Sequence, residues 1–277
     1  MGTKTGYIGL GNMGMPIAQN VLAAGYDLMV YDIRDDPMQK LAALGAKCAD
    51  CPREVGEHAE IIELSVVDDA QVEEVVAGPE GILDGAKPGT IIVIHSTIHP
   101  GTVKRIAEMA RPKGVGILDA CLSGGSSGAQ ARTLCYMVGG EPALLERCRP
   151  VFETSGAHIF HVGDLGMGAA TKLAQQVIIC LNRLSAYEGM RLAEKARVNL
   201  DALRAIVHLT SAQSQFADNW EQYRRVDGSG SERGYALAHL FWKGLCPALE
   251  LGHEVGLAMP ATALVQQLFP KVLGVEE

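Results

Sequence analysis

The chain has 277 residues, enough for roughly two domains of ~150 residues and for a core that needs no disulfide or metal staple. Apolar residues make up 48% of it and charged residues 20%, which excludes a wholly disordered, collagen-like or coiled-coil chain. With 5% aromatic residues and a net charge of -8, it lacks the basic surface and stacking platforms of a nucleic-acid binder, and no apolar run reaches the ~18 residues of a membrane span.

The opening Met1-Gly2-Thr3-Lys4 leads into a strand rather than a signal-peptide core. Runs at 5–10, 27–31, 60–66, 90–95 and 116–120 are predicted strands, and 13–24 and 102–110 are predicted helices. Strand then helix, repeated, is the pattern of a parallel sheet covered on both faces. Two further predicted strands, 133–138 and 158–162, bracket a helix opened by Glu141-Pro142, because proline suits a first helical turn. After Gly163 the strand-like runs stop. From Leu165 to about Lys195 no proline intervenes, and Ala169, Leu173, Val177, Cys180, Leu184 and Tyr187 recur at helical spacing. Residues 177–181 are apolar on every side, which predicts burial all round. The remainder reads as helical, with a loop at Asp227-Gly-Ser-Gly-Ser and a break at Met259-Pro260.

Seven cysteines, an odd number in a chain of this length, read as free thiols, so the expected compartment is the cytoplasm. Cys48-Ala-Asp-Cys51 has C-x-x-C spacing but lacks the second pair of a zinc site or a thioredoxin context. His95 and His99 flank Ser96-Thr97, yet two histidines on a turn without a third ligand make a poor zinc site. His158 and His161, on one short strand, point to opposite faces. No metal is expected.

Gly9-Leu10-Gly11-Asn12-Met13-Gly14 follows the first strand and opens the first helix. In that setting each glycine has a distinct role. Gly9 permits the tight turn, Gly11 lets backbone approach a pyrophosphate, and Gly14 allows close helix–strand packing. The helix N-terminus then presents N–H groups and a positive dipole end to the phosphates. The next strand ends at Tyr31-Asp32, 18 residues beyond Gly14, where a carboxylate accepts the adenosine ribose hydroxyls. Asp32, with Ile33 and Arg34 beside it, favours NAD over NADP, because a 2′-phosphate would sit beside a fixed negative charge. Arg34 pulls the other way, as a partner for that phosphate or a plate stacking on adenine. The expected fold is α/β: an N-terminal Rossmann-type doubly wound sheet over 1–163, a long interdomain helix over 164–195, and an all-α C-terminal domain over 196–277.

Ser123-Gly124-Gly125 follows a strand, at the edge where an α/β sheet binds ligands, and its backbone N–H groups and hydroxyl form a suitable cradle for a carboxylate. Gly163-x-x-Gly166-x-Gly168 turns the backbone into the long helix. Lys172 sits about one turn in, and a lysine within so apolar a stretch is unusual. Four separated motifs now resemble the β-hydroxyacid dehydrogenase family, the group of 3-hydroxyisobutyrate dehydrogenase, tartronate semialdehyde reductase and 6-phosphogluconate dehydrogenase. They are Gly9-Leu-Gly-Asn-Met-Gly-Met-Pro-Ile-Ala-Gln-Asn20, Asp119-Ala-Cys-Leu-Ser-Gly-Gly125, Gly163-Asp-Leu-Gly-Met-Gly-Ala-Ala-Thr-Lys172 and Lys243-Gly-Leu-Cys-Pro-Ala-Leu-Glu250, with His95-Ser-Thr-Ile-His-Pro100 as a fifth. They occur in the family's order and span essentially the whole chain.

The resemblance implies hydride transfer between a nicotinamide and the carbinol carbon of a small β-hydroxy acid or its semialdehyde. It assigns Lys172 as general acid/base and Ser123, Gly124 and Gly125 to the substrate. Thr97 resembles the family threonine near the nicotinamide, and Lys243 a lysine near the cofactor when the domains close. Ser65, Val66 and Val67, at the end of the predicted strand 60–66, lie at another cofactor-contacting edge. A free lysine titrates near ~10.4, so a base working near neutrality needs that value lowered by burial or by a neighbouring cation.

Several positions depart from the family pattern. Where the family continues from the lysine to an Asn pair, this chain has Gln175 and Gln176, which share the helix face of Lys172 at i+3 and i+4. The extra methylene pushes the amide ~1.5 Å deeper into the pocket, predicting a re-cut substrate site. Cys121 replaces a usual proline, Gly244 an aspartate and His95 an acidic residue. Two other readings compete: an imine reductase-like enzyme, which typically carries another residue at the lysine position, and a non-catalytic dinucleotide-binding module. Lys172 counts against both. Finally, the apolar linker helix and C-terminal segment exceed what a domain of ~80 residues buries alone, predicting a homodimer, or a dimer of dimers, through this half.

Overall fold

A computed structural model describes residues 3–223 and 232–272. The chain divides into two compact units, Met1–Lys172 and Leu173–Glu277. The first is built in chain order from β1 (Lys4–Ile8), α1 (Gly14–Ala23), β2 (Asp27–Tyr31), α2 (Asp35–Ala42), β3 (Lys47–Cys48), α3 (Pro52–His58), β4 (Ile61–Leu64), α4 (Asp69–Ala77) and α5 (Ile82–Gly85). It continues with β5 (Ile91–Ile94), α6 (Pro100–Ala110), β6 (Gly116–Ser123), α7 (Gly125–Ala131), β7 (Leu134–Gly139), α8 (Pro142–Phe152), β8 (Gly156–Gly163) and the start of α9 (Met167–Lys195).

The eight strands form one sheet in the order β3-β2-β1-β4-β5-β6-β7-β8. Every neighbouring pair is parallel except β6 and β7, which run antiparallel. This is the doubly wound sheet expected from the alternating pattern. The chain order reverses between β1 and β4, and that reversal opens a crevice at the carboxyl ends of the two strands.

Both faces are covered, so the central strands read as continuous apolar runs. In β5, Ile91-Ile92-Val93-Ile94 is wholly buried, and its side chains divide between two cores. Ile91 and Val93 join Tyr7, Leu118 and Tyr136 beneath α1 and α8, while Ile92 and Ile94 join Ile62, Leu64 and Met137 beneath α3, α4 and α6. The period of two along each strand makes this division.

Several boundaries differ from the sequence reading. β6 runs through Ser123 rather than stopping at Ala120, because Cys121 and Leu122 continue the buried run until Gly124, with φ +127, breaks it. β3 escaped prediction because it is only two exposed residues. The long helix starts at Met167, since Gly163 and Gly166 both hold positive φ before it.

The second unit holds the rest of α9, then α10 (Leu200–His208), α11 (Gln215–Asp218), α12 (Trp220–Tyr223), α13 (Glu232–Glu254) and α14 (Pro260–Val272). Its elements among the described residues are all helices, and the break at Met259-Pro260 falls between α13 and α14; the loop expected at Asp227 lies outside the described residues. Cys180, Leu245 and Val265 form its small core, with Val177, Leu181 and Leu184 against it. Burial all round 177–181 does not hold within one chain. Leu245 and Val265 pack on one side of α9, and Ile178, on the other, is 60% exposed. The buried stripe of α9 carries three polar residues as well, Lys172, Gln176 and Arg183. Arg183 is held over the rings of Phe216 and Tyr223, each centroid 5.6 Å from its guanidinium carbon. Among the described residues no helix is long and apolar enough to cross a membrane.

Candidate active site

At the carboxyl end of β1 the chain turns at Gly9, where φ is +88. A side chain there would run into the Ser65 carbonyl, so only glycine lets this loop lie against the end of β4. A Cβ at Gly14 would collide with the Gly9 carbonyl and lie 2.8 Å from the Tyr7 ring, which sets how tightly α1 packs on β1. A Cβ at Gly11 would meet nothing within 4 Å, so this backbone faces open space. No side chain caps the N-terminus of α1. Open backbone and an uncapped helix start are what a pyrophosphate requires.

Asp32, at the end of β2, is brought to the same loop. Its Oδ2 accepts from the Leu10 amide at 2.6 Å, and its Oδ1 accepts from the Arg34 amide at 2.9 Å and Arg34 Nε at 3.0 Å. Burial works to raise this carboxyl, but the bonds from the Arg34 side chain, the Arg34 amide and the Leu10 amide outweigh it and hold Asp32 below its ordinary value. The site thus presents an ionised carboxylate with an exposed guanidinium beside it. Ile33 projects outward, 87% exposed.

The opposite wall of the crevice follows β4. Ser65 Oγ and Tyr7 Oη share a hydrogen bond of 2.8 Å beneath the glycine loop. The Ser96 hydroxyl both accepts from the Val66 amide at 3.0 Å and donates to the Val66 carbonyl at 2.9 Å, tying the ends of β4 and β5 together. Thr97, next in the chain, is half-buried, and Val67 is exposed, its amide donating to Gln71. Sequence reasoning missed Ser96 and Tyr7; their signal was a hydroxyl two residues beyond β5 and another one residue before the end of β1.

The two histidines around Thr97 part company. His99 caps α6, its Nδ1 accepting from the Gly101 amide at 3.1 Å. His95 lies in the sheet interior with its Nδ1 2.7 Å from the Ala120 carbonyl and its Nε2 2.9 Å from Glu63 Oε1. A carbonyl only accepts, so Nδ1 carries a proton, and Nε2 shares another with Glu63. Tyr7, Tyr136 and Phe152 surround this ring. Among the described residues no three His, Cys, Asp or Glu side chains are grouped to hold a metal ion.

The second cluster lies at the end of β6. Ser123 is the last strand residue and pairs across the ladder with Cys135; Gly124 and Gly125 turn the chain into α7. The loop expected after the strand is therefore a strand end and a helix start. A Cβ at Gly125 would meet nothing within 4 Å, and no side chain caps α7. Lys172 is brought to this place and does not turn out to solvent: it is 8% exposed. Burial pushes the Cys121 thiol up to about 12, with Asp119 adding to the rise, while the Lys172 ammonium pulls it down; Lys172 acts on Cys135 in the same sense. Both thiols lie on the β6–β7 ladder that ends in Ser123.

In the second unit, Gln176 is buried and Gln175 half-buried. A Cβ at Gly244 would lie 3.2 Å from Gln176 Nε2 and 3.6 Å from its Cδ. The longer amide thus lies where a side chain at 244 would need room. Lys243, beside Gly244 on α13, is half-buried. Gly244→Asp is expected to displace the Gln176 amide and raise KM for the hydroxy acid several-fold, while the cofactor Kd stays within about twofold, measurable by steady-state kinetics and fluorescence titration.

Residues 4–163 match the family described as the NAD binding domain of 6-phosphogluconate dehydrogenase, and 166–275 that described as NAD-binding of NADP-dependent 3-hydroxyisobutyrate dehydrogenase. The chain is 34% identical over 266 residues to 2-(hydroxymethyl)glutarate dehydrogenase of Eubacterium barkeri, covering 96% of this chain and 88% of that one. It is 37% identical to 2-hydroxy-3-oxopropionate reductase of Escherichia coli, covering 96% and 90%. Mycobacterium tuberculosis 3-hydroxyisobutyrate dehydrogenase, solved with L-serine, superposes with a TM-score of 0.87 at 25% identity, over 98% of this chain and 94% of that one. The glycine loop, the acidic end of β2 and these matches agree: the chain belongs to the β-hydroxyacid dehydrogenase family and is an NAD(P)-dependent oxidoreductase acting on the CH–OH group of hydroxy acids.

Proposed function

We propose that this enzyme interconverts a small β-hydroxy acid and its semialdehyde with Lys172 as general acid/base. The observation that carries the proposal is the burial of Lys172 near the start of α9, where the Gly166 and Ala169 amides are bonded to Asp119 of β6, the strand that ends in Ser123. The residues of the β1 loop (Gly9, Leu10, Gly11, Asn12, Met13 and Gly14) and Asp32 fit a dinucleotide. Ile33, Arg34, Ser65, Val66, Val67, Thr97 and Lys243 complete the proposed cofactor set. The bound nicotinamide supplies hydride acceptance and donation. The chain's own part is to hold the substrate carboxylate at Ser123-Gly124-Gly125 and to move the hydroxyl proton. In oxidation Lys172 Nζ takes that proton as the hydride leaves carbon; in reduction it returns one to the carbonyl oxygen. Gln175 and Gln176, one turn further along α9, are assigned to the substrate as well.

NAD is the proposed preference. Asp32 is held ionised, so a 2′-phosphate would meet a fixed negative charge, and three bonds from Arg34 already serve that carboxylate. The test is a panel of β-hydroxy acids, semialdehydes and cyclic imines with both cofactors, followed by the absorbance of reduced nicotinamide. Hydroxy-acid turnover with higher kcat/KM for NAD is expected. Turnover of imines alone overturns the substrate assignment, and a higher kcat/KM with NADP overturns the preference.

A homodimer, or a dimer of dimers, through the C-terminal half is part of this proposal. Ile178, Leu192, Ile206, Leu209, Leu257 and Leu264 are all more than half exposed, and α10 buries none of its side chains within one chain. A monomer by light scattering at micromolar concentration would contradict it. The odd count of seven cysteines supports the reducing cytoplasm as the site of action, and the net charge of -8 argues against nucleic acid as a partner.

A further inference from the structure

Asp119 opens the motif that ends at Gly125, and it is fully buried in the middle of β6. Its carboxylate is spent on another part of the chain. Oδ1 accepts from the Gly166 amide at 2.9 Å and Oδ2 from the Ala169 amide at 2.7 Å. These are N–H groups at the start of α9, which have no partner inside the helix. Asp119 therefore caps a helix whose entry turn lies 47 residues later in the chain.

The contact is built at backbone distance. A Cβ at Gly168 would lie 2.6 Å from the Met137 carbonyl and 2.9 Å from Asp119 Oδ2. A Cβ at Gly139, the ladder partner of Asp119, would lie 2.6 Å from Oδ1 and 2.7 Å from the Gly168 amide. No side chain fits between the helix start and the β6–β7 pair.

Spacing then carries the contact to the reacting groups. Asp119, Cys121 and Ser123 are two apart on β6 and share one face; Gly166, Ala169 and Lys172 are three apart at the start of α9 and share one side. The carboxylate meets Gly166 and Ala169, and the Lys172 charge is felt two residues further along β6 at Cys121. The substrate cradle and the lysine thus diverge from one fixed point.

We propose that Asp119 is a positioning residue for the reaction, holding the N-terminus of α9 on β6 so that Lys172 and the Ser123-Gly124-Gly125 turn keep one relative geometry. This rests on Lys172 as general acid/base. A misplacement of about 1 Å is enough to cost ~10²-fold in rate. Asparagine has the right size but the wrong polarity, since its NH2 would point at an amide N–H.

A double-mutant cycle of Asp119→Asn and Lys172→Ala tests it. In the wild-type background Asp119→Asn should lower kcat by about 10- to 100-fold, with cofactor Kd changed less than about twofold. In the Lys172→Ala background it should change residual turnover by less than about twofold. Equal losses in both backgrounds, or no loss in the first, overturn the positioning role. Near wild-type turnover of Lys172→Ala alone would sink the acid/base assignment instead. Hydrogen exchange gives a separate reading if Asp119→Asn does not fold. In the wild-type enzyme the Gly166 and Ala169 amides should exchange at least about 100-fold more slowly than exposed loop amides. Asp119→Ser, which keeps one acceptor, should release at least one of them. Fast exchange of both in wild type overturns the cap.

Discussion

Replacing Lys172 by alanine is expected to lower turnover by about 10²- to 10⁴-fold, the usual worth of a positioned acid/base. Cofactor affinity should stay within about twofold, because the dinucleotide site proposed at the glycine loop and Asp32 does not include it. Lys172→Arg should be nearly as inactive: the guanidinium keeps its charge above about pH 12 and cannot accept the hydroxyl proton at working pH. Measuring kcat by absorbance and Kd by cofactor fluorescence separates the two effects. Wild-type turnover in the alanine variant would leave the buried lysine as a structural group. Burial matters here as much as basicity. Lys172 is 8% exposed, so its amine is enclosed by the protein rather than held out at the surface.

The second large effect is on stability. Glu63 and His95 are 2% and 1% exposed at the side chain and bond at 2.9 Å in the centre of the sheet. Removing one member leaves the other buried without its partner, which costs about 3–5 kcal/mol. Glu63→Ala should therefore melt roughly 6–20 °C below the parent. Glu63→Met combined with His95→Leu should recover most of that loss, since an apolar pair of similar volume removes the desolvation cost of both groups. Thermal unfolding of the three proteins decides it, and a drop of less than about 2 °C in Glu63→Ala would show that the pair contributes little. The single variant should also bind cofactor more weakly, because His95 leads directly into Ser96, whose hydroxyl fixes Val66.

Much of this architecture is legible as pattern. β2 reads at its true limits because Asp27 and Asp32 bound an apolar run, and α8 because Pro142 marks its first turn. The glycine loop announces itself because three glycines meet three separate steric demands. What pattern does not carry is where a polar residue inside an apolar run spends its hydrogen bonds. In the sequence Glu63 is simply part of one predicted strand and His95 the last residue of another, yet the sheet order sets them side by side. Asp119 is visible as the first letter of a motif, but its partners lie 47 and 50 residues away. Burial all round the middle of α9 fails for a related reason: periodicity records which side chains avoid water, not whether one chain or two supplies the cover.

Gln176 and Gly244 constrain heredity. A lineage that shortens the first leaves space beside the second, and one that enlarges the second must shift the first, so either step alone disturbs the packing of the other. These positions should be inherited as a couple, and a transplant of substrate preference between relatives should succeed only when both are exchanged.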